Sequence, residues 1–519
     1  MKPVIMTLKE QDWECLQAIL FQADGRERQV FLELGLREDQ HTFEVLLHRL
    51  RPVADADYLS QGLYHVSPKP QAVVEAYNAF CRSGVLVHGH VHSHPFCDVA
   101  HFSAVDHQTL GQIRRGLADL VTLQGLNEST TCFQMVLGRD PAGFEGVLLN
   151  LWGEKMGALS TVRVITPQGI RLYQRELGED NSGALADVRL DRNIRWLGKE
   201  GQKKLSQTHL SICGLGGAGA LLVANVRGLG FREITLVDPE RLEPSNLNRF
   251  VGAGIEDVES YKVDILKREL RRVAPETIVH ALPCGVEDPE AQARLREADL
   301  IVAALDGMQP RAELQILAAR FLKPLFDLGS GILVQPGGEI RRMGSQIIVY
   351  IPGQACLACQ GMDLFRPTEG LAGEIRRRTG YVVGATTELT PTSVVTINSV
   401  AAGWTVDLII KFLTGIGPIP LYTQINQWRG IVEQLHFVKK ESCSLCGLDG
   451  IEGKGEDRAV LPPPPFPALG IQFDFGDGQG SPACWTPTGA RPHGLFGNLV
   501  AKLGKPKDYD RSANGKESH

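Results

Sequence analysis

The sequence predicts an α/β protein with two domains: a smaller α+β unit, followed by a mostly parallel, doubly wound sheet. Short apolar stretches alternate with charged turns near the N terminus, as in half-buried strands. Further on, a strand runs into a glycine-rich turn and an apolar helix, and a fully apolar strand follows at 300–305. The 519 residues are enough for two or three domains.

Composition excludes several classes of protein and of partner. Hydrophobic residues make up 43% and charged residues 22%, which excludes disordered, collagen-like and coiled-coil chains. A net charge of −6 and the lack of a long apolar run predict neither a nucleic-acid partner nor a membrane. The 11 cysteines include two CxxC pairs, which favours the reducing cytoplasm and a metal site.

The predicted boundaries follow changes in sequence texture. The first unit, 1–155, has strand-like stretches at 30–32 and 43–47, helices at 71–82 and 103–120, and a buried strand at 85–87. A small polar stretch within 156–185 predicts a linker. The second unit spans 186–450, and the proline- and glycine-rich segment 451–519 predicts a weakly structured tail.

Two histidines, a serine and an aspartate in the first unit have the chemistry of a zinc site. His92 and His94 are two residues apart, and Ser103 and Asp106 follow before a helix. Two imidazoles and a carboxylate leave a fourth zinc position for water, which distinguishes a catalytic from a structural ion. The alternative is a helix-capping Ser-x-x-Asp next to a solvated histidine loop.

This order of residues over 10–150 resembles the JAMM/MPN (JAB-type) zinc isopeptidases, which cut ubiquitin-like proteins from their targets. The resemblance implies three zinc ligands: His92, His94 and Asp106. It also implies Glu27 as the general base for the bound water, with Glu33 as the fallback. Ser103 would stabilise the tetrahedral oxyanion.

A glycine-rich turn in the second unit is typical of a nucleotide site. The glycines follow the strand His209–Cys213 and open a helix: Gly214, Gly216, Gly217 and Gly219. Glycines let the backbone approach phosphates at a helix N terminus, and Asp238 at the end of the next strand suits a ribose hydroxyl. On the glycines alone, a dinucleotide-binding dehydrogenase domain is the favoured interpretation.

The flanking sequences strongly resemble the adenylating domain of the ubiquitin-activating and ThiF/MoeB family. These are RLDRN (189–193), VDPE (237–240) and SNLNRF (245–250), and the likeness continues to Cys446. The resemblance implies ATP contacts from Asp238, Asn246, Asn248, Arg249 and Lys262. It implies that Asp306 holds Mg²⁺, and that Arg192 reaches a neighbouring subunit's site in a homodimer.

Two CxxC pairs predict a second, structural zinc. Their four thiols match the family's closed tetrahedral site: Cys356, Cys359, Cys443 and Cys446. A redox dithiol is the competing interpretation.

The sequence lacks the acceptor cysteine that many members of the family place between these pairs. No cysteine occurs between Cys359 and Cys443, and segment 384–392 carries threonines. The chain therefore stops at the adenylate, passes it directly to an external nucleophile, or forms an ester through a hydroxyl.

Both halves predict one substrate class. We expect ATP-dependent adenylation of the C-terminal glycine of a ubiquitin-like protein, combined with zinc-dependent peptidase or isopeptidase cleavage at that terminus, in a cytoplasmic homodimer working with a conjugating enzyme. The alternatives are a sulfur-carrier-protein adenylyltransferase of thiamine or molybdopterin synthesis, and a non-catalytic scaffold for the same small protein.

Overall fold

The computed structural model describes residues 2–123, 130–174, 188–334, 340–362 and 393–456. The described chain contains two eight-stranded sheets and a separate two-stranded hairpin. The mixed α/β class predicted from the sequence is confirmed.

The first sheet belongs to the N-terminal domain and has the order β1-β3-β2-β6-β7-β8-β9-β10. Its strands are β1 (Lys2–Lys9), β2 (Gln29–Glu38), β3 (Phe43–Pro52), β6 (Val87–Ser93), β7 (Thr131–Leu137), β8 (Phe144–Asn150), β9 (Lys155–Thr166) and β10 (Gly169–Gln174). The hairpin is β4 (Tyr58–Gln61) and β5 (Val66–Pro68), and the helices are α1 (Glu10–Leu20), α2 (Pro70–Ser83) and α3 (Ala104–Leu123). Because β1 also pairs with β9, the sheet curls back on itself.

Local sequence explains these elements. Along β2 all but the last residue are buried, since the strand lies inside the sheet with helices over it. Helix α2 begins with Pro70 and is followed by Gly84 at φ 77°, the usual pair of helix start and stop signals. The predicted helix over 71–82 is thereby confirmed.

The structure corrects two predicted boundaries. Residues 156–174 were expected to belong to a linker, but they form most of β9 and all of β10. Leu159, Val162 and Val164 bury their side chains in the first core, so this segment belongs to the N-terminal domain. The predicted strand at 85–87 instead begins at Val87 and continues to Ser93, through the histidines.

The second sheet has the order β13-β12-β11-β14-β15-β16-β17-β18. Its strands are β11 (His209–Cys213), β12 (Glu233–Val237), β13 (Ile278–Leu282), β14 (Leu300–Ala303), β15 (Leu325–Val334), β16 (Ile340–Tyr350), β17 (Tyr422–Asn426) and β18 (Ile431–Leu435). The first five are parallel and the last three antiparallel. The chain reverses strand order between β11 and β14, which opens a crevice at their carboxyl ends.

Six α-helices accompany the described part of this sheet: α4 (Asp191–Ser206), α5 (Gly217–Val226), α6 (Lys262–Val273), α7 (Pro289–Glu297), α8 (Met308–Arg320) and α9 (Val395–Thr414). Helix α9 is long and apolar enough to cross a membrane, but 56% of its most apolar window is buried. It packs with α5 and the sheet in the second core, as an interior helix does.

A buried group of charges joins the two domains. This interface cluster consists of Arg37, Glu44 and Arg163 from the first domain and Asp299 and Lys323 from the second. The Glu44 carboxylate accepts from Arg37 Nε at 2.7 Å and lies 3.5 Å from Lys323 Nζ. Arg163 pairs with Asp299. Burial alone would raise the pKa of Glu44, but Lys323, Arg37 and Arg163 lower it well below its usual range.

Replacing Glu44 with glutamine is expected to destabilise the protein by about 3–5 kcal/mol, because three cations would lose a buried anion. Urea unfolding measures the change. Glu38→Gln is the matched control, since that side chain is half exposed and its pair with Lys2 contributes at most about 1 kcal/mol. Equal effects of the two substitutions would show that the interface cluster does not stabilise the fold.

The structure corrects the start of the predicted tail, 451–519. Residues 451–456 are ordered and pair with the N-terminal domain, where Gly455 forms a parallel bridge with Leu36. Residues 457–519, with the four prolines, lie outside the described residues.

Candidate functional sites

The nucleotide pocket begins at the glycine-rich turn after β11. Gly214 has φ +86°, and a Cβ there would lie 2.6 Å from the carbonyl oxygen of Ala304. At Gly219 a Cβ would lie 2.0 Å from the carbonyl oxygen of Gly214. Only glycine fits at these two positions, so the turn is tight and the N terminus of α5 faces the crevice.

The crevice encloses about 600 Å³, a volume that accommodates a nucleotide. Five of the predicted side chains line it: Asp238, Asn246, Arg249, Lys262 and Asp306. Glu240, which belongs to the VDPE motif, lines it as well. Gly214, Gly216 and Gly217 line it as well. The structure thus brings together most of the predicted nucleotide contacts.

Asp238 lies at the end of β12, directly beside the glycine turn. Its carboxylate accepts from the backbone N–H of Leu215 at 2.5 Å and of Glu240 at 2.8 Å. Burial raises the pKa of Asp238, and these two hydrogen bonds lower it in part. The side chain is fixed where a ribose hydroxyl can donate to it.

Two cations face the same crevice. Lys262, the first residue of α6, is buried along its stem and pairs with Glu240. Arg249 donates to the carbonyl oxygen of Ser245 at 2.7 Å and to Asn248 Oδ1 at 3.0 Å. This arrangement places positive charge next to the glycine turn, as triphosphate binding requires.

Three predicted residues do not line this crevice. Gly219 serves the turn itself, and Asn248 contacts Arg249 instead of the cavity. Arg192 is exposed on α4, outside the lining of its own chain's pocket.

Ser330 and Asn398 are among the polar residues of the crevice that were not predicted from the sequence. Ser330 of β15 donates to Asn398 Oδ1 of α9 at 2.7 Å, and both line the crevice. The available signal was Asn398 itself, a buried amide within a mostly apolar helix.

The first domain brings His92, His94 and Asp106 to one point. The His92 Nε2 atom lies 3.3 Å from His94 Nε2 and 3.1 Å from Asp106 Oδ1, and His94 Nε2 lies 3.4 Å from Asp106 Oδ2. Ligands at about 2.0–2.1 Å from a tetrahedral zinc are roughly 3.3 Å apart. These three residues, the metal triad below, therefore fit a zinc ion with an open fourth position.

The capping alternative is also present in the structure. The Ser103 N–H donates to Asp106 Oδ2 at 2.6 Å, and the Asp106 N–H donates to Ser103 Oγ at 3.1 Å. One carboxylate therefore both caps α3 and faces the two imidazoles. The solvated-loop interpretation is wrong for His92 and His94, since both are buried.

Glu27 lies beside the metal triad. Its Oε1 is 3.8 Å from His94 Nε2, and the neighbouring Arg28 exchanges hydrogen bonds with Ser93 at the end of β6. Burial raises the pKa of Glu27 to about 7, with His94 lowering it and Asp106 raising it. Such a carboxyl can exchange a proton near neutral pH. Glu33 instead pairs with Arg51 and lies opposite His88 in the sheet.

Ionisation of Glu27 is expected to lower the stability of the metal-free protein as pH rises from about 4.5 to 7. The folded state retains the Glu27 proton up to pH about 7, whereas the unfolded chain releases it near 4.5. Melting temperature, measured in chelator across this range, should fall by a few degrees more in the wild type than in Glu27→Gln. Parallel pH profiles would contradict the buried, protonated state of Glu27.

The four thiols of the CxxC pairs also converge. Cys356 Sγ lies 3.6 Å from Cys443 Sγ, and Cys359 Sγ lies 3.5 Å from Cys446 Sγ. Zinc–sulfur bonds of about 2.3 Å place tetrahedral ligands about 3.8 Å apart. Each close contact joins a thiol of one CxxC pair to a thiol of the other pair. This arrangement suits one zinc ion bound by four thiolates better than two separate dithiols.

Comparison with known proteins finds matches to the second domain. A ThiF family model matches residues 190–446. "Sulfur carrier protein ThiS adenylyltransferase" of Escherichia coli (strain K12) is 26% identical over 255 residues, 48% of this chain and 89% of that protein. "Sulfur carrier protein adenylyltransferase" of Thermus thermophilus is 31% identical over 144 residues, 28% of this chain and about half, 52%, of that protein.

Among solved structures, a crystal structure of Escherichia coli MccB with MccA-N7isoASN has a TM-score of 0.41 and 23% identity, and the match covers 50% of this chain and 75% of that one. The matched family model coincides with the glycine turn, the cation-lined crevice and the parallel sheet. Residues 190–446 of this chain are therefore a ThiF-family domain.

Proposed function

We propose that this chain uses ATP to adenylate the C-terminal glycine of a small carrier protein. One observation carries the proposal: Arg249 and Lys262 line one crevice with the glycine turn, Asp238 and Asp306, within a ThiF-family domain. The two relatives above are named for adenylation of sulfur-carrier proteins. A dehydrogenase has no need of two cations at the phosphates.

Each crevice residue has a definite part in this reaction. Asp238 accepts a hydrogen bond from the ribose, and the α5 N terminus binds phosphate oxygens. The glycine carboxylate attacks the α-phosphate, and the bond from that phosphorus to pyrophosphate breaks. Arg249 and Lys262 neutralise the charge that builds on the phosphoryl oxygens. Asp306 would hold Mg²⁺, which adds further positive charge at these oxygens.

ATP–pyrophosphate exchange tests this proposal. The probe is a small glycine-ended protein encoded beside this chain, compared with the same protein lacking its last glycine. Exchange is expected only with the intact terminus. If the folded, zinc-loaded protein shows no exchange with any glycine-ended protein encoded beside it, the scaffold alternative is favoured.

We also propose that the first domain is a zinc peptidase that cleaves at the carrier's C terminus. The carrying observation is the metal triad with Glu27 beside it. Bound zinc would acidify a water molecule at its fourth position. Glu27 takes the proton of that water and delivers it to the leaving amine, and the Ser103 hydroxyl can donate to the oxyanion. Hydrolysis of a C-terminally extended carrier, followed by mass spectrometry, tests this.

A test for peptidase activity would distinguish a ubiquitin-like carrier from a sulfur carrier. An isopeptidase site suits a conjugated, ubiquitin-like protein and a conjugating enzyme, whereas a sulfur carrier requires adenylation alone. The fate of the adenylate depends on a segment, 384–392, that lies outside the described residues. The homodimer, with Arg192 reaching the partner's pocket, and the cytoplasmic location remain predictions.

A further inference from the structure

The two candidate sites share no residue. The residues that line the nucleotide crevice lie between 214 and 398, all in the second domain. The metal triad lies between 92 and 106, in the first. Within the described chain, neither site is built from both domains.

Each site lies far along its strands from the contact between the domains. In the first domain, Gln29 at the start of β2 pairs with His92, and Leu36 at the interface lies about 23 Å further along. In the second domain, Lys323 of the interface cluster precedes β15, and Ser330 of the crevice lies about 20 Å further along.

A short segment, which we name the arm (447–456), closes the contact between the domains. The backbone N–H of Gly453 donates to the carbonyl oxygen of Ala319 in the second domain at 3.0 Å. The Glu456 N–H donates to the carbonyl oxygen of Leu36 in the first domain at 3.0 Å. A Cβ on Gly35 would lie 2.4 Å from the Gly453 carbonyl oxygen, so the strand packs directly on the arm's backbone.

Glu452 anchors the arm to both domains. Its carboxylate, almost fully buried, accepts from Tyr350 Oη at 2.8 Å and from the Gly353 N–H at 3.0 Å in the second domain. It also accepts from Lys9 Nζ of the first domain at 3.4 Å. Reorienting the domains would separate these groups and the interface cluster, leaving buried charges without partners, which is strongly unfavourable. The two sites are therefore held apart.

We infer that a carrier whose terminus is freed at the metal triad is released into solution before the crevice binds it. This inference rests on the proposed function. In the first encounter, water adds its oxygen to the glycine carbonyl, the C–N bond breaks and the amine takes a proton. In the second, the carboxylate oxygen bonds to the α-phosphorus and pyrophosphate leaves. Hydrolysis thus supplies the adenylation substrate through the bulk pool, without transfer between sites.

Isotope dilution tests the inference on the wild-type, zinc-loaded chain. The probe is the carrier that supports pyrophosphate exchange, ¹⁵N-labelled and extended by a short peptide beyond its glycine. It is mixed with ATP and about a tenfold excess of unlabelled, mature carrier, and the adenylate is analysed by mass spectrometry. Release predicts that labelled adenylate falls to about one tenth of its undiluted amount, since free carriers compete by concentration.

The other outcome is equally defined. A tethered transfer acts at an effective concentration near millimolar, so labelled adenylate would remain undiluted and the inference would be overturned. Cleavage of the extended carrier alone and exchange with the mature carrier alone are measured in parallel. Failure of either control contradicts the proposed function, and the inference with it, whereas undiluted label with both controls positive contradicts the inference only.

Discussion

Replacement of Asp106 with asparagine is expected to lower cleavage of a C-terminally extended carrier by about a thousandfold or more. In the proposed zinc site Asp106 would supply the anionic ligand, and its Oδ1 and Oδ2 atoms lie 3.1 and 3.4 Å from the two imidazoles. Losing a positioned metal removes several kcal/mol of transition-state stabilisation, and about 1.4 kcal/mol corresponds to tenfold in rate. Mass spectrometry of the products measures cleavage, and metal analysis of the purified variant measures zinc.

The same variant should keep its rate of ATP–pyrophosphate exchange, because the nucleotide crevice lies in the other domain. Asp98→Asn is the matched control, since this carboxylate lies in the loop that precedes α3, is mostly exposed and pairs with Arg139. Normal cleavage by Asp106→Asn, or loss of exchange along with cleavage, would refute the assignment of two separate sites.

Asp306→Ala is expected to lower exchange by about a thousandfold, with cleavage unchanged. Asp306 follows β14 and lines the same crevice as Arg249 and Lys262. In the proposed reaction, loss of this carboxylate would leave Mg²⁺ unheld at the phosphoryl oxygens, where charge stabilisation of this kind contributes about 10³ or more. The measurement is incorporation of labelled pyrophosphate into ATP across Mg²⁺ concentrations.

Asp264→Ala serves as the control for Asp306→Ala, because this aspartate is exposed on α6 and does not line the crevice. It should exchange at the wild-type rate. Partial recovery of Asp306→Ala at high Mg²⁺ would support a metal-holding role. Wild-type exchange by Asp306→Ala at all Mg²⁺ concentrations would exclude it.

The sequence predicted best where local spacing dictates geometry. The tight turn requires glycine at Gly214 and Gly219, and a spacing of two residues at the end of β6 brings His92 near His94. Glu27 precedes β2 and Glu33 lies within it, so both are close to the same strand. In the sequence, only the family resemblance favoured Glu27 over Glu33 as the general base. The structure separates them, because Glu27 adjoins the triad while Glu33 pairs with Arg51.

Contacts between distant segments could not be predicted. From the sequence, the N-terminal domain was expected to end near 155, at a turn. In the structure, β9 and β10 follow this turn and complete the sheet by pairing with each other, with β8 and with β1. The arm resembled the start of a tail, since its glycines signal flexibility unless a partner backbone approaches. Asn398 reaches the crevice from a helix remote in sequence. Such relations depend on the fold as a whole.

The interface cluster also limits how this protein can be dissected. A fragment cut between 174 and 188 would leave Lys323 and Asp299 on one piece, and Glu44 and Arg163 on the other. Each fragment would expose a face of charge and apolar surface shaped for its lost neighbour. The two domains therefore depend on each other structurally, and each forms part of the other's folding environment. Site-specific substitutions in the intact chain, not truncation, are the way to assign its activities.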